Sequence, residues 1–276
     1  MTPKNLKHYL EAWDLSDPQP LAETATSRVY AVLSGGARVV LKLLKPIGVE
    51  DEKNGAAALR WFNGQGAVHL LRDDDQAHLL EYADGENLTA LVERGEDEKA
   101  TAIIGDVLNQ LHAASGDLPP GELTPLRVRF RSLFKQAQAD SRNGSDSIYV
   151  RAARVAEELL AQPREVRVLH GDIHHYNIRH SQRGWLAYDP KGLIGERIYD
   201  AANTLCNPGG LPELVRNEAR LLKNAAILAE RMGCDFSRLL AFVYSYACLN
   251  ASWYMEGGQY QDHSLGVARL VEPHLR

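Results

Sequence analysis

The stretch HGDIHHYN at residues 170–177 carries the strongest chemical signal in the chain. A short β-branched run precedes it, and a second run at residues 185–188 ends directly before Asp189. A loop that is entered from one strand and left through a β-hairpin can bring Asp172, Asn177 and Asp189 to one rim of a small sheet. Two carboxylates and an amide suit a hard cation such as Mg²⁺, which prefers oxygen ligands. The segment therefore predicts a magnesium site.

The spacing H-x-D-x(4)-N is also typical of phosphotransferase loops. In such loops the aspartate accepts the proton of the acceptor hydroxyl and the asparagine holds a metal ion. A second interpretation is a zinc hydrolase, because imidazole and carboxylate are zinc ligands. Its candidate ligands are His170, Asp172, His174 and His175. The other histidines fall in no paired spacing, which favours the phosphotransferase.

The residues before this loop predict two lobes of different composition. Strand-forming runs lie near residues 20–23, 27–33, 38–44, 67–71 and 78–82, and a helix is predicted over residues 49–62. Helical spacing of apolar residues dominates from residue 87 onward. We therefore predict an α+β fold. It has an N-terminal five-stranded β lobe with one helix at residues 1–84, and a larger α-rich lobe at residues 85–276 that contains the loop.

A lysine in the third predicted strand is the second chemical signal. Lys42 lies between apolar neighbours, and a kinase-type site needs a lysine there to reach nucleotide phosphates. Glu52, in the first turn of the following helix, is its predicted carboxylate partner, although Glu50 and Asp51 compete for that role. The alternative for Lys42 is an exposed position on the strand. The alternative for Glu52 is an ordinary acidic residue in a first helical turn, where the helix dipole favours negative charge.

Composition excludes several classes of protein. The 276 residues are 45% hydrophobic and 24% charged, with a formal net charge of −5, which is ordinary for a globular chain. Without a basic block, nucleic acid is not an expected partner. Without an apolar run of about 20 residues or a signal peptide, we expect no membrane segment and a cytoplasmic location. The three cysteines, Cys206, Cys234 and Cys248, are predicted to be free buried thiols.

Several separated motifs in the same order resemble the aminoglycoside phosphotransferases, whose fold is similar to that of eukaryotic protein kinases. The resemblance is stronger to the streptomycin 6-phosphotransferase and hydroxyurea-kinase branch, and it covers nearly the whole chain. The motifs that carry it are residues 27–32, 41–47, 63–68, 79–83, 170–175, 183–186 and 189–196.

This resemblance assigns roles to the two chemical signals. It implies that Asp172 is the catalytic base, and that Asn177 and Asp189 hold Mg²⁺ between the phosphates of ATP. It also implies that Lys42, steadied by Glu52, contacts the α- and β-phosphates. A nucleotide-binding regulatory module without transfer is a further alternative, although the residues needed for transfer are present.

The resemblance also implies a set of nucleotide contacts. Thr26, Ser27 and Arg28 correspond to the loop over the phosphates, without the three glycines of protein kinases. The segment Glu81-Tyr82-Ala83 offers backbone groups to adenine, and the lobes are expected to hinge near residues 83–86. Lys191 is expected to neutralise phosphate charge, or else to be a solvated turn lysine.

Two residues are implied as supports of the loop. His170 is expected to hydrogen-bond the backbone near Asp172. Asp200 resembles the aspartate that braces the catalytic loop in the family. Capping of the helix that begins at residue 201 is a compatible alternative for Asp200.

The acceptor is implied to be small, hydroxylated and cationic, because aminoglycosides are polycations. Its candidate contacts are Glu196, Trp253 and Glu256, of which Glu256 is preferred. The alternative is that the acidic residues lie on helix faces exposed to solvent. The acceptor could also be hydroxyurea or another small metabolite of the same family.

Overall fold

The computed structural model describes residues 5–46, 49–116, 121–258 and 262–275, with the backbone alone for residues 49–52 and 262. The N-terminal elements are α1 (Leu6–Ala12), β1 (Leu15–Glu23), β2 (Ser27–Ser34), β3 (Ala37–Leu44), α2 (Val49–Phe62), β4 (Leu70–Asp74) and β5 (Ala77–Glu81). The strands form one five-stranded sheet in the order β1-β2-β3-β5-β4, and all of the pairs are antiparallel. The predicted β lobe is confirmed, and α1 is a helix that the sequence pattern did not reveal.

The hairpin of β2 and β3 shows why the predicted turn forms. Ser34 pairs with Ala37, so Gly35 and Gly36 alone make the turn. Both glycines have positive φ, 55° and 84°, which is the conformation that tight hairpins with a right-handed twist require. The hairpin register places Lys42 opposite Val29 on β2, and β5 places it opposite His78.

The strand predicted at residues 67–71 begins later than expected, at Leu70. Val68 N–H donates to the Ala187 carbonyl at 3.0 Å, and Ala187 N–H donates to the Gly66 carbonyl at 2.8 Å. These residues therefore pair with the larger lobe before β4 begins. A local pattern shows extended backbone but not the strand with which it pairs.

The larger lobe is mostly helical, as predicted. Its helices are α3 (Thr89–Glu93), α4 (Asp97–Ala113), α5 (Leu126–Arg129), α6 (Arg131–Arg142), α7 (Ile148–Ala161), α8 (Tyr199–Leu205), α9 (Pro212–Val215), α10 (Glu218–Met232), α11 (Phe236–Glu256) and α12 (Asp262–Val271). Its strands are β6 (Thr124–Pro125), β7 (Val166–Leu169), β8 (Ile178–Ser181), β9 (Gly184–Ala187) and β10 (Leu193–Glu196). The strands form two small sheets, β6-β10-β7 and β8-β9.

Two apolar clusters hold the molecule together. The smaller one lies in the β lobe and includes Tyr9, Trp13 and Leu41. The larger one joins the helices of the second lobe to the buried face of α2, including Leu59 and Phe62. Helix α2 therefore packs with the larger lobe, and the division of the chain after residue 84 stays a prediction about its organisation. None of the described helices combines the length and apolar character needed to cross a bilayer.

Candidate active site

A buried aspartate holds the start of the loop at residues 170–177. Asp200 on α8 accepts the backbone N–H groups of His170 at 2.9 Å and Gly171 at 2.7 Å. His112 Nε2 lies 3.0 Å from the same carboxylate. Helix α8 has no side-chain cap at Ile198, so the Asp200 carboxylate bonds to the loop rather than to the start of its own helix.

His170 links the two segments that carry the acidic residues. Its Nδ1 accepts the Asp172 N–H at 3.3 Å, and its Nε2 lies 3.0 Å from the Tyr188 carbonyl. The ring is buried, and burial lowers its pKa despite the nearby carboxylates. A neutral imidazole with an acceptor at one nitrogen and a donor at the other fits both bonds.

The Asp172 carboxylate is held by an asparagine that the sequence analysis missed. Asn203 Nδ2 donates to Asp172 Oδ1 at 2.9 Å, and Asn177 Nδ2 donates to the Asp172 backbone carbonyl at 3.0 Å. Asn203 is three residues after Asp200 on α8, so the i,i+3 spacing of one helix face could have identified it. Asp172 Oδ2 has a longer contact of 3.5 Å with Asn177 Nδ2.

Asp189 joins the two lobes through charge. Lys42 Nζ on β3 lies 2.5 Å from Asp189 Oδ1, and Lys191 Nζ lies 3.3 Å from Oδ2. Burial alone would raise the pKa of the Asp189 carboxyl, but the two ammonium groups hold it well below its ordinary range. The sequence-predicted lysine and aspartate therefore meet across the cleft.

Helix α2 approaches the loop after Asp189 closely. A Cβ on Gly55 would lie 2.4 Å from the Pro190 carbonyl oxygen, and a Cβ on Gly192 would lie 2.0 Å from that of Asn54. Only glycine permits this contact. Glu52 belongs to the same helix, but its side chain lies outside the described residues, so its pairing with Lys42 stays a prediction.

A cavity of about 630 Å³ separates the lobes. Most of the nucleotide contacts implied by the resemblance line it, namely Thr26, Ser27, Lys42, Glu81, Tyr82, Ala83, Asn177, Asp189 and Lys191. Arg28 does not line it, and its guanidinium pairs with Glu23 at 3.2 Å. The reason is strand alternation, which points Ser27 and Val29 into the cavity and Arg28 to the other face.

Glu81 lines the cavity with backbone while its carboxylate points to the β8–β9 hairpin. The carboxylate lies 2.5 Å from Arg183 Nη2 and accepts the His69 N–H at 2.9 Å. Burial favours a higher pKa for Glu81, but these donors lower it. Its side chain therefore supports the connection between the lobes.

The acceptor candidates lie in different surroundings. Glu196 is buried, lies 2.6 Å from Arg238 and accepts the Arg164 N–H at 2.9 Å. We therefore correct the prediction for Glu196, whose carboxylate belongs to the interior of the larger lobe. Glu256 pairs with Lys135 at 3.2 Å on the surface. Trp253, on the same helix, is partly buried and packs against the larger apolar cluster.

The zinc interpretation finds no support. Across the described residues no group of three or more His, Cys, Asp or Glu side chains could hold a metal ion. His174 Nδ1 accepts the Tyr176 N–H at 3.2 Å, and His175 is fully buried. By contrast, Asn177 and Asp189 offer oxygen donors to the cavity, and Mg²⁺ is commonly held by one or two carboxylates together with substrate phosphates. The donors present fit that ion.

Comparison with known proteins agrees with this geometry. A family model described as aminoglycoside/hydroxyurea antibiotic resistance kinase matches residues 12–258. The chain is 36% identical over 258 residues to a streptomycin 3''-kinase of Klebsiella pneumoniae, with 90% of this chain and 92% of the relative covered. It is 29% identical over 259 residues to a streptomycin 6-kinase of Streptomyces griseus, with 90% and 81% covered.

Solved structures show the same fold. A thermostable mutant of aminoglycoside phosphotransferase APH(4)-Ia, in a ternary complex with ADP and hygromycin B, superposes with a TM-score of 0.66 at 15% identity. The match covers 97% of this chain and 96% of that one. The two-lobed architecture, the family model and the relatives agree, and the chain therefore belongs to the aminoglycoside/hydroxyurea antibiotic resistance kinase family of phosphotransferases.

Proposed function

We propose that the protein transfers the γ-phosphoryl group of ATP to a hydroxyl of an aminoglycoside, with streptomycin as the acceptor. The observation that carries this proposal is the 2.5 Å contact between Lys42 of one lobe and Asp189 of the other. It supports the proposal because a cation and a carboxylate meet beside a cavity large enough for a nucleotide. We place the enzyme in the cytoplasm, where ATP is available.

The cavity offers each part of a nucleotide a suitable environment. The backbone at residues 81–83 faces the adenine, and Thr26 and Ser27 cover the phosphates. Lys42 and Lys191 supply positive charge beside the α-, β- and γ-phosphates. Mg²⁺ held by Asn177 and Asp189 would neutralise further phosphate charge. Positioning and electrostatics then provide most of the rate.

Asp172 provides the proton acceptor. Asn203 fixes its Oδ1, so Oδ2 is presented to the acceptor hydroxyl. The hydroxyl oxygen forms a bond to the γ-phosphorus as its proton passes to the carboxylate, and the bond from phosphorus to the β,γ-bridging oxygen breaks. The products are a phosphate ester and ADP.

Streptomycin is chosen because both of the relatives described above are named streptomycin kinases. Hydroxyurea is the second candidate, since the matching family model names it. Coupled ADP release with streptomycin, other aminoglycosides, hydroxyurea and simple sugars distinguishes them. We expect Mg²⁺-dependent ADP release with streptomycin, and NMR of the product identifies the phosphorylated hydroxyl. ADP release with hydroxyurea alone would replace the first candidate by the second.

Substitution of the base tests the mechanism. We expect Asp172→Ala to lower kcat with the productive acceptor by about 100-fold or more, the scale of general-base catalysis. ATP affinity, measured by calorimetry, should stay within about twofold, because the base meets the acceptor and not the nucleotide. Asp106→Ala, at an exposed aspartate on α4, is the matched control. Turnover near that of the unmodified enzyme would refute the assignment of Asp172.

A further inference from the structure

Two arginines of the short helix α5 differ sharply in their surroundings. Arg127 is exposed and pairs with Glu157 at 3.2 Å. Arg129 is partly buried, and its guanidinium lies 4.2 Å from the ring centroid of Trp253 on α11. Its Nε is buried, and Tyr199 is the side-chain partner that favours its charged form. One arginine is thus a surface ion pair, and the other is a cation held inside the larger lobe by an aromatic ring.

Arg129 belongs to a cluster beside the proposed base. The ring of Tyr246 lies 6.2 Å from Trp253 and 5.8 Å from Tyr199. Burial opposes the charge of Arg129, yet its pKa is raised because Tyr199, Tyr246 and the Asp172 carboxylate favour the charged form. We call Arg129, Tyr199, Tyr246 and Trp253 the aromatic wall.

The aromatic wall lies outside the nucleotide cavity. None of its residues lines that cavity, whereas Asn177 and Asp189 do. Tyr199 lies one helical turn before Asn203 on α8, and Asn203 Nδ2 donates to Asp172 Oδ1 at 2.9 Å, so the wall adjoins the base. Neither the wall nor Asp172 lines that cavity. An acceptor hydroxyl that meets the Asp172 carboxylate therefore lies outside the nucleotide contacts, where the aromatic wall adjoins it.

The chemistry of Arg129 suits an oxygen ligand. Withdrawal of a guanidinium from water without a paired carboxylate is costly, and a ring face holds such a cation in a fixed plane. The planar fork of N–H groups matches two adjacent oxygen atoms, as in a vicinal diol, and a lysine ammonium does not. A positively charged amine at the same place would be repelled.

We propose that Arg129 binds the acceptor, donating N–H groups to an oxygen next to the hydroxyl that Asp172 deprotonates. This inference rests on the proposed phosphotransfer and specifies its substrate class. The acceptor carries a hydroxyl, ether or carbonyl oxygen beside the reacting hydroxyl, and any cationic groups lie elsewhere on the molecule. Arg129 thus selects acceptors by an oxygen-rich edge, and Trp253 holds it in place.

The test compares Arg129→Met, Arg129→Lys and the control Arg127→Met, with streptomycin as the acceptor and ADP release as the readout. We expect Arg129→Met to raise the KM for streptomycin by roughly tenfold or more, since the bidentate contact is lost. Arg129→Lys should be intermediate, because it keeps the charge and loses the fork. Arg127→Met should behave as the unmodified enzyme. In both Arg129 variants the KM for ATP should change much less than the KM for streptomycin.

Three outcomes overturn the inference: equal KM values for streptomycin, a joint rise of the KM values for ATP and streptomycin, and no turnover with any acceptor. If Arg129→Met and the unmodified enzyme have equal KM values for streptomycin, Arg129 does not bind the acceptor. If the KM values for ATP and streptomycin rise together, Arg129 only supports the fold, and thermal unfolding of Arg129→Lys checks this directly. If the unmodified enzyme uses another acceptor of the panel, the comparison is made with that compound. If it uses none, the proposed function fails, and the inference fails with it.

Discussion

Asp189 is the residue at which charges of both lobes meet. It has positive φ, 61°, a conformation that non-glycine residues adopt rarely and that is concentrated at functional sites. Its carboxylate balances Lys42 and Lys191. In the proposed function the same two lysines would balance phosphate charge, and Asp189 would hold Mg²⁺.

Asp189→Ala should remove Mg²⁺-dependent nucleotide binding. We expect ATP affinity in the presence of Mg²⁺ to fall by roughly 100-fold, because the carboxylate proposed to hold the metal is lost. Calorimetric titration with and without Mg²⁺ measures the effect, with Asp106→Ala as the control. An unchanged titration would remove Asp189 from the metal site.

The β8–β9 hairpin is the element that joins the lobes. Arg183, in its turn, bonds to the Glu81 carboxylate and donates to the carbonyls of Gly64 at 2.8 Å and Ala67 at 3.1 Å. On the adjacent strand, Arg179 Nε donates to the Gly85 carbonyl at 2.9 Å. The segment expected to act as a hinge, residues 83–86, is therefore tied to this hairpin at Gly85 and Glu86, since His180 N–H also donates to the Glu86 carbonyl at 2.9 Å.

Arg183→Met should weaken both the fold and the nucleotide site. Loss of several partly exposed hydrogen bonds costs about 1–2 kcal/mol, which lowers Tm by roughly 2–6 °C for a chain of this size. The KM for ATP should rise, since Glu81 and its neighbours face the nucleotide. Arg167→Met is the control, because Arg167 is exposed and bonds only to the adjacent Val166 carbonyl. Equal Tm values for the two variants would contradict the role of the hairpin.

At the scale of the whole molecule, neutral buried histidines link stability to pH. Burial lowers the pKa of His78 to about 4 and that of His175 to about 3, and it also lowers the pKa of His170 and His174. Below the ordinary histidine pKa of about 6.5, the unfolded chain binds protons that the folded chain does not. The free energy of unfolding must therefore fall as the pH falls from that value.

Urea denaturation between pH 7 and pH 5 measures this effect. His78 and His175 should each contribute a loss that approaches about 1.4 kcal/mol per pH unit between the ordinary histidine pKa and their own lowered pKa. His78→Gln should reduce the slope, and His8→Gln, at an exposed ring, should leave it unchanged. A stability that does not vary over this range would show that these rings bind protons equally in the folded and unfolded chains.

The order of the elements and the chemistry of the loop could be predicted from the sequence. The β2–β3 hairpin follows from alternating residues around two glycines, and the helices of the larger lobe follow from apolar residues at helical spacing. Asp172, Asn177 and Asp189 were identifiable because their spacing along the chain is the signal itself. These features depend on neighbours in the chain, so the sequence by itself determined them.

The tertiary structure alone decided which distant side chains meet. Glu196 lies in the interior because Arg238, from a helix far along the chain, pairs with it, and Arg129 lies over the Trp253 ring because α5 packs near α11. The Arg28 side chain does not reach the cavity because its position on β2 points it to the outer face of the sheet. Such pairings depend on how whole elements pack. Packing is driven by the burial of apolar faces to which many distant residues contribute, so no short sequence pattern reveals which side chains will meet.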